Sequence, residues 1–135
     1  MTLAYIGLGS NLSDPAKQIA LALSAIKLEV TGDVVAMSSV YFSRPMGPQD
    51  QPDYTNAVLA IKTNLSALDL LDQLQAIEHS AGRVRKDNRW GARILDLDII
   101  LFGDHVINNE RLTTPHYGLK DREFVLLPLA EITDN

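Results

Sequence analysis

Periodicity constrains this chain more than any other feature, because two stretches of helical period alternate with four of strand character in the order strand, helix, strand, strand, helix, strand. Leu3 to Leu8 is an apolar run closing on Gly7, Gly9, Ser10 and Asn11, which reads as a buried strand entering a turn that the two glycines permit. Asp14 before Pro15 is an N-cap with proline at the first helical position, and Ile19, Ala22, Leu23 and Ile26 recur at helical spacing, so a helix is expected from Pro15 to Leu28. Past Gly32 and Asp33, β-branched and aromatic residues mark a second strand from Val34 to Phe42. Arg44 to Asp53 carries Pro45, Gly47, Pro48 and Pro52 and cannot be sheet interior, and Tyr54 to Ile61 reads as the third strand. Ser66 with Asp69 is a capping-box-like start to a helix whose Leu70, Leu74, Ile77 and Ala81 share one face and which Gly82 should stop. A basic loop then runs to Arg93, before a last strand from Ile94 to Phe102.

That order predicts an α+β fold: a ferredoxin-like βαββαβ core with helices packed on an antiparallel sheet. The remainder, Gly103 to Asn135, is less periodic, with a turn at Thr114-Pro115-His116-Tyr117 and short helical pieces between Arg122 and Ile132. At 135 residues the chain suits one domain, residues 1–135, and 46% hydrophobic with 21% charged residues is ordinary globular composition. A net charge of -5 argues against a protein that coats nucleic acid. The absence of cysteine excludes disulfides, zinc-thiolate sites, iron-sulfur clusters and thiol nucleophiles, so any metal must bind through oxygen or imidazole. No basic run precedes an apolar leader and no segment is long enough to span a bilayer, so a cytoplasmic protein without a membrane partner is expected. Nothing demands a second chain, and a monomer is the default.

The strongest chemical signal is Arg93-Ile94-Leu95-Asp96-Leu97-Asp98-Ile99-Ile100. Strand alternation sends Leu95, Leu97, Ile99 and Leu101 to one face and Asp96 and Asp98 to the other, roughly 6 to 7 Å apart at Cα. Two ionised groups so placed repel unless a cation or an arginine lies between them. Mg²⁺ takes one or two carboxylates and completes its octahedron with water and phosphate oxygens, so the pair suits a metal-nucleotide site, whereas an isolated pair of this kind is ordinarily a solvated strand face.

Its neighbours shift that balance. Arg83, Arg85, Lys86, Arg89 and Arg93 place five of the 12 basic residues directly before the aspartates, and arginine forks match phosphate oxygens. Nucleic acid is a weaker reading than nucleotide, since the strand offers Phe102 as its one aromatic. Trp90, the only tryptophan, is equally a plug over the core or a lid on a ligand. The Gly7-Leu8-Gly9-Ser10-Asn11-Leu12 run departs from a dinucleotide fingerprint, and the chain has no P-loop motif. Gln75 and Glu78 lie off the apolar helix face and should be exposed; His79 and His105 read as surface residues, and His116 as a turn residue able to meet phosphate.

The stretch Arg89 to Ile100 resembles the signature of the 6-hydroxymethyl-7,8-dihydropterin pyrophosphokinase family (HPPK), joined by Gly9-Ser10-Asn11-Leu12, by Gly47 to Tyr54 and by Pro115-His116-Tyr117, so the resemblance covers nearly the whole chain. It implies a three-layer α/β/α domain that moves the β,γ-pyrophosphoryl group of ATP onto the hydroxymethyl oxygen of the pterin and releases AMP, in folate biosynthesis. Two Mg²⁺ ions are implied, with Asp96 and Asp98 as metal ligands. Arg83, Arg93 and Asp98 match catalytic positions. Gln75, Glu78, Arg85, Trp90, Arg93, Ile99, Thr113, His116, Tyr117 and Arg122 match ATP-binding ones. Ser43, Pro45, Met46, Tyr54, Asn56, Trp90 and Phe124 match the pterin site, with the pterin stacked between Tyr54 and Phe124 and its hydrogen-bonding edge read by Asn56.

Two departures accompany the match. The family continues past the position of Asn135, so a C-terminal extension is expected to be lacking, and Glu123 sets a charge beside Phe124 where a small residue is expected. Two rival readings are a nucleotidyltransferase, from Gly9-Ser10 and the acidic pair, and a non-catalytic ferredoxin-like binding module. The first is disfavoured by the length of chain separating the two motifs.

Overall fold

The computed structural model describes residues 1–10, 15–43, 54–81, 95–114 and 123–133, with 15, 16, 43, 54 and 123–127 placed by their backbone alone. Along the chain run β1 (Thr2–Ser10), α1 (Pro15–Glu29), β2 (Asp33–Met37), β3 (Tyr41–Ser43), β4 (Tyr54–Thr63), α2 (Ala67–Ser80), β5 (Asp96–Phe102), β6 (Ile107–Asn108), β7 (Thr113–Thr114) and α3 (Glu123–Thr133). The main sheet has the order β2-β4-β1-β5 with β3 also on β4, and its pairings are antiparallel. With β2 and β3 taken as one interrupted strand, this is the expected ferredoxin-like arrangement.

The periods place the layers. Ala4, Ile6 and Leu8 of β1, Ala57, Leu59 and Ile61 of β4, and Leu97 and Ile99 of β5 share one face, which buries Ile19, Ala22 and Ile26 of α1 and Leu70, Leu74 and Ile77 of α2. Each such Leu or Ile contributes about 1.5–3 kcal/mol of burial. On the opposite face Val58 and Ile100 meet Leu129 of α3, flanked by Tyr5, Leu101 and Ile132, which makes three layers. The Ser66 hydroxyl accepts the Asp69 N–H at 3.1 Å, as the capping pattern requires, and α2 gives way to its C-cap Ala81, one residue short of the expected stop. Among the described residues no helix is long and apolar enough to cross a membrane.

Several local expectations are corrected. Gly7 and Gly9 lie inside β1, paired on both sides, and not in a turn. A Cβ on Gly7 would come within 3.0 Å of Ile100 Cδ1, so glycine there lets that side chain cross the strand. The β1–β5 register slips between Tyr5 and Ile6, where Tyr5 faces Leu101 but Ile6 faces Ile99. Ile100 is the extra residue of this bulge, so Leu101 joins the α3 face and Phe102 takes the core position instead.

The second strand is broken at Ser38, whose Oγ accepts the Val58 N–H at 2.9 Å and donates to Ser39 O at 2.8 Å. A side-chain oxygen thus replaces a ladder acceptor, and the strand divides into β2 and β3. The tail forms one continuous α3 with Pro128 inside it, not short pieces, because its Leu129 and Ile132 pack on the sheet. Thr114 belongs to β7 and donates its hydroxyl to His105 O at 3.0 Å, while 115–117 of the expected turn lie outside the described residues.

Glu131 ties α3 to the sheet edge. Its carboxylate accepts from the Tyr41 hydroxyl at 2.7 Å, the Ser39 hydroxyl at 2.9 Å and the Ser39 N–H at 3.0 and 3.1 Å. The Tyr41 hydroxyl, followed by the Ser39 donors, holds this carboxyl below its ordinary pKa, and the same hydrogen bond raises the Tyr41 phenol. A depressed carboxyl contributes stability that is present above its unfolded pKa and is lost as pH falls through its folded one. A raised phenol contributes below its unfolded pKa and loses that contribution as pH rises through its folded one. Thermal unfolding of the wild type and Glu131→Gln should therefore differ at neutral pH and converge in acid, below the ordinary carboxylate range. A gap that persisted in acid would remove the charge from the account.

Candidate active site

Strand register assembles a polar row at one end of the sheet. Gly9 of β1 faces Asp96 on one side and Asn56 on the other, and Asn56 in turn faces Tyr41. Directly opposed residues put their side chains on the same face, here the α3 face, since Leu8, Ala57 and Leu97 occupy the other. Asp98 lies opposite Gly7 on that same face. Gly9 adds no side chain between Asp96 and Asn56, whose strands are about two spacings of 4.8 Å apart. Asp96 is half-buried and Asp98 exposed, so the alternation expected for the pair holds.

Asn56 is 7% exposed, and its Nδ2 has no hydrogen-bond partner among the described residues. A buried donor left so costs about 1–3 kcal/mol, which marks a position that a ligand acceptor would complete. The buried hydroxyls of Ser10 and Thr55 are also unpaired among the described residues, but they oppose each other one register along and face the helix layer. Their Gly9-Ser10 dipeptide lies in strand, not in the turn that a polymerase-like transferase reading needs.

Glu78 corrects the expectation of an exposed helix residue. It is 6% exposed, and its Oε2 accepts the Leu97 N–H at 2.7 Å. Leu97 stands between the two aspartates on β5, an edge strand among the described residues, so this carboxylate holds the outer edge of the strand at the acidic pair. Ile99 is 1% exposed within the core, which leaves only its backbone to meet a nucleotide.

Gln75 is exposed on α2, and its Oε1 accepts from Arg111 Nη2 at 3.1 Å, while the same nitrogen reaches Asp72 Oδ1 at 2.6 Å. Arg111 thus fastens the turn before β7, and with it exposed Thr113, to the helix carrying Gln75. Local sequence gives no sign of Arg111, because its partners lie 36 and 39 positions away. Ser43 and Tyr54 face each other across β3 and β4, and Phe124 lies in the first turn of α3. Arg83, Arg85, Trp90, Arg93, Pro45, Met46, His116, Tyr117 and Arg122 lie outside the described residues. Their segments nevertheless start or end at this end of the sheet: 44–53 joins Ser43 to Tyr54, and 82–94 delivers the chain to Leu95 and Asp96.

The donor chemistry of the acidic pair fits a hard divalent cation. Among the described residues no three His, Asp or Glu side chains cluster to hold a metal. These residues therefore offer two carboxylates and leave the rest of a Mg²⁺ shell to water and phosphate oxygens.

Comparison with known proteins identifies the family and the fold. The family model described as 7,8-dihydro-6-hydroxymethylpterin-pyrophosphokinase (HPPK) matches residues 5–134. A 2-amino-4-hydroxy-6-hydroxymethyldihydropteridine pyrophosphokinase of Haemophilus influenzae is 56% identical over 135 residues, which is 100% of this chain and 84% of that one. Its counterpart in Pseudomonas aeruginosa is 53% identical over 128 residues, 95% of this chain and 78% of that one. A crystal structure of Plasmodium falciparum HPPK-DHPS superimposes with a TM-score of 0.74 at 15% identity, covering 98% of this chain and 40% of that longer chain, and so shares the fold. The matched span, the identities and the common fold together place the chain in the HPPK family.

Proposed function

We propose that this chain, a diphosphotransferase of folate biosynthesis by its family, carries out its reaction at the end of the sheet where Asp96 and Asn56 share a row and where Ser43, Tyr54 and Leu95 stand at the strand ends. The hydroxymethyl oxygen of 6-hydroxymethyl-7,8-dihydropterin attacks the β-phosphorus of ATP. The new oxygen–phosphorus bond forms as the bond from the β-phosphorus to the bridging oxygen breaks, and AMP leaves with that oxygen. The observation that carries the reading is the shared row, with a carboxylate pair and an unpaired buried amide on one sheet face.

Each side chain has a part. Asp96 and Asp98 would hold Mg²⁺, which when bound with ATP would neutralise charge on the phosphate oxygens. Asp98, the exposed member, is also suited to receive the hydroxyl proton. Arg83 and Arg93 stabilise charge on the transferring group and Arg85 holds the phosphates, a task suited to guanidinium forks. Gln75, Thr113, the Ile99 backbone, His116, Tyr117 and Arg122 hold the nucleotide. Asn56 reads the pterin edge with its free amide, Tyr54 and Phe124 stack on the ring, and Ser43, Pro45, Met46 and Trp90 line its side of the site. Glu78 serves this arrangement by fixing β5.

The test is product analysis after incubation of the protein with MgATP and the pterin. AMP should form only when the pterin is present. ADP as product, or AMP formed equally without pterin, would overturn the assignment, and release of free pyrophosphate would point to nucleotidyl transfer.

A further inference from the structure

The β3–β4 pairing is short for the task that the reading above gives it. Tyr41, Phe42 and Ser43 alone face Asn56, Thr55 and Tyr54, and this ladder must hold both ends of segment 44–53. Three residue pairs make a marginal ribbon without outside support. Support comes from Ser38, which exchanges hydrogen bonds with Val58, and from Glu131, which gathers the hydroxyls of Ser39 and Tyr41 and the Ser39 N–H.

The second anchor is the informative one, because it joins two elements that both carry pterin-site residues. Glu131 belongs to α3, and Phe124 lies about two turns earlier on the same helix. Tyr41 stands directly opposite Asn56 on the α3 face, where opposed Cβ atoms lie about 4.5–5.5 Å apart. One carboxylate therefore fixes the helix of one proposed wall against the hairpin bearing Ser43, Tyr54 and Asn56. It also fixes the hydroxyl end of Tyr41, the residue that stands opposite Asn56 in the ladder. Charge-assisted hydrogen bonds are roughly twice as strong as neutral ones, so these contacts suit a fixed spacing.

We propose that Glu131, acting through Tyr41 and Ser39, is a positioning residue for pterin recognition: it sets the separation between α3 and the β3–β4 hairpin and the orientation of Asn56. This rests on the pterin site inferred above. A stacked planar ligand tolerates little error in the gap it enters, so loosening the tie should weaken pterin binding and leave the nucleotide side untouched.

Calorimetric titration of the full chain with 6-hydroxymethyl-7,8-dihydropterin, in the presence of Mg²⁺ and a non-hydrolysable ATP analogue, tests this. A separate titration with the analogue alone serves as the reference. Glu131→Ala and Tyr41→Phe should weaken pterin binding by about 5- to 10-fold, the scale of losing a net hydrogen bond or two, with analogue affinity within about twofold. Glu131→Gln, which keeps an acceptor oxygen, should recover part of the loss. Unchanged pterin affinity in all three variants overturns the proposal and leaves the reaction standing. A parallel loss for pterin and analogue, tracking a lowered melting temperature, also overturns it by showing a merely structural tie. A wild-type chain that binds no pterin overturns the site and the proposal together, whereas one that binds pterin without forming AMP overturns the reaction while the variants still decide the proposal.

Discussion

Asp98→Ala is expected to cut pterin-dependent AMP formation by about 10³-fold, the upper range for removing one preorganised charge-stabilising group from a transfer site. Melting temperature should fall far less than the rate, because Asp98 is exposed on its strand and its replacement opens no cavity in the core. That separation of activity from stability makes the experiment decisive. Asp98→Asn keeps the shape and one oxygen but removes the charge, and a loss of similar size would show that the site needs the carboxylate and not merely a hydrogen-bond acceptor. If the alanine variant kept activity within tenfold of wild type at saturating Mg²⁺, Asp98 would be an ordinary solvated strand residue and its metal and proton roles would both fall. Asp96, half-buried in the same row as Asn56, should give a comparable loss of rate with a larger effect on stability.

What the sequence made legible is what local physics governs. Ile19, Ala22 and Ile26, and then Leu70, Leu74 and Ile77, are buried because a 3.6-residue period leaves one stripe for the sheet to cover. Asp96 and Asp98 share a face because strand side chains alternate, and Ser66 caps α2 because its hydroxyl can reach the Asp69 N–H three residues on. The failures have one cause, a partner distant in sequence. Gly7 and Gly9 read as turn residues until Ile100 is seen to need the space over Gly7. Leu101 changes face because the bulge depends on how β1 pairs with β5. A hydroxyl that finds Val58, 20 positions away, interrupts the strand at Ser38.

The site divides along the same line. The acidic pair is readable from its own strand, whereas the Asn56 amide acquires its meaning only when register sets it across Gly9 from Asp96. Arg111 and Glu131 are charged residues in stretches without clear period, and neither is distinguishable in sequence from a solvated charge. Each becomes informative through a contact, Arg111 with α2 at Gln75 and Glu131 with Tyr41. The arginines of the basic loop, the clearest anion-binding signal in composition, rest on the family resemblance and on where their segment rejoins the sheet at Asp96.

Glu78→Ala should lower both stability and rate, and the way the two fall together separates it from Asp98. The Glu78 carboxylate is buried, and it accepts a hydrogen bond from the Leu97 N–H on the edge of β5 that, among the described residues, no strand of the main sheet covers. Removing it leaves a buried backbone donor unpaired, at a cost of about 1–3 kcal/mol, and also opens space beside the strand. Because Leu97 lies between Asp96 and Asp98, an edge released there shifts both carboxylates, and a displacement of about 1 Å at reacting groups is enough to cost on the order of 10²-fold in rate. Glu78→Gln supplies the control, since its amide oxygen can still accept from Leu97 and should keep most of the stability. Urea unfolding and single-turnover AMP formation measured on the same preparations check both halves. An alanine variant as stable as wild type would show that β5 does not depend on this hydrogen bond. One that lost stability but kept its rate would show that the acidic pair is held from the β1 side alone.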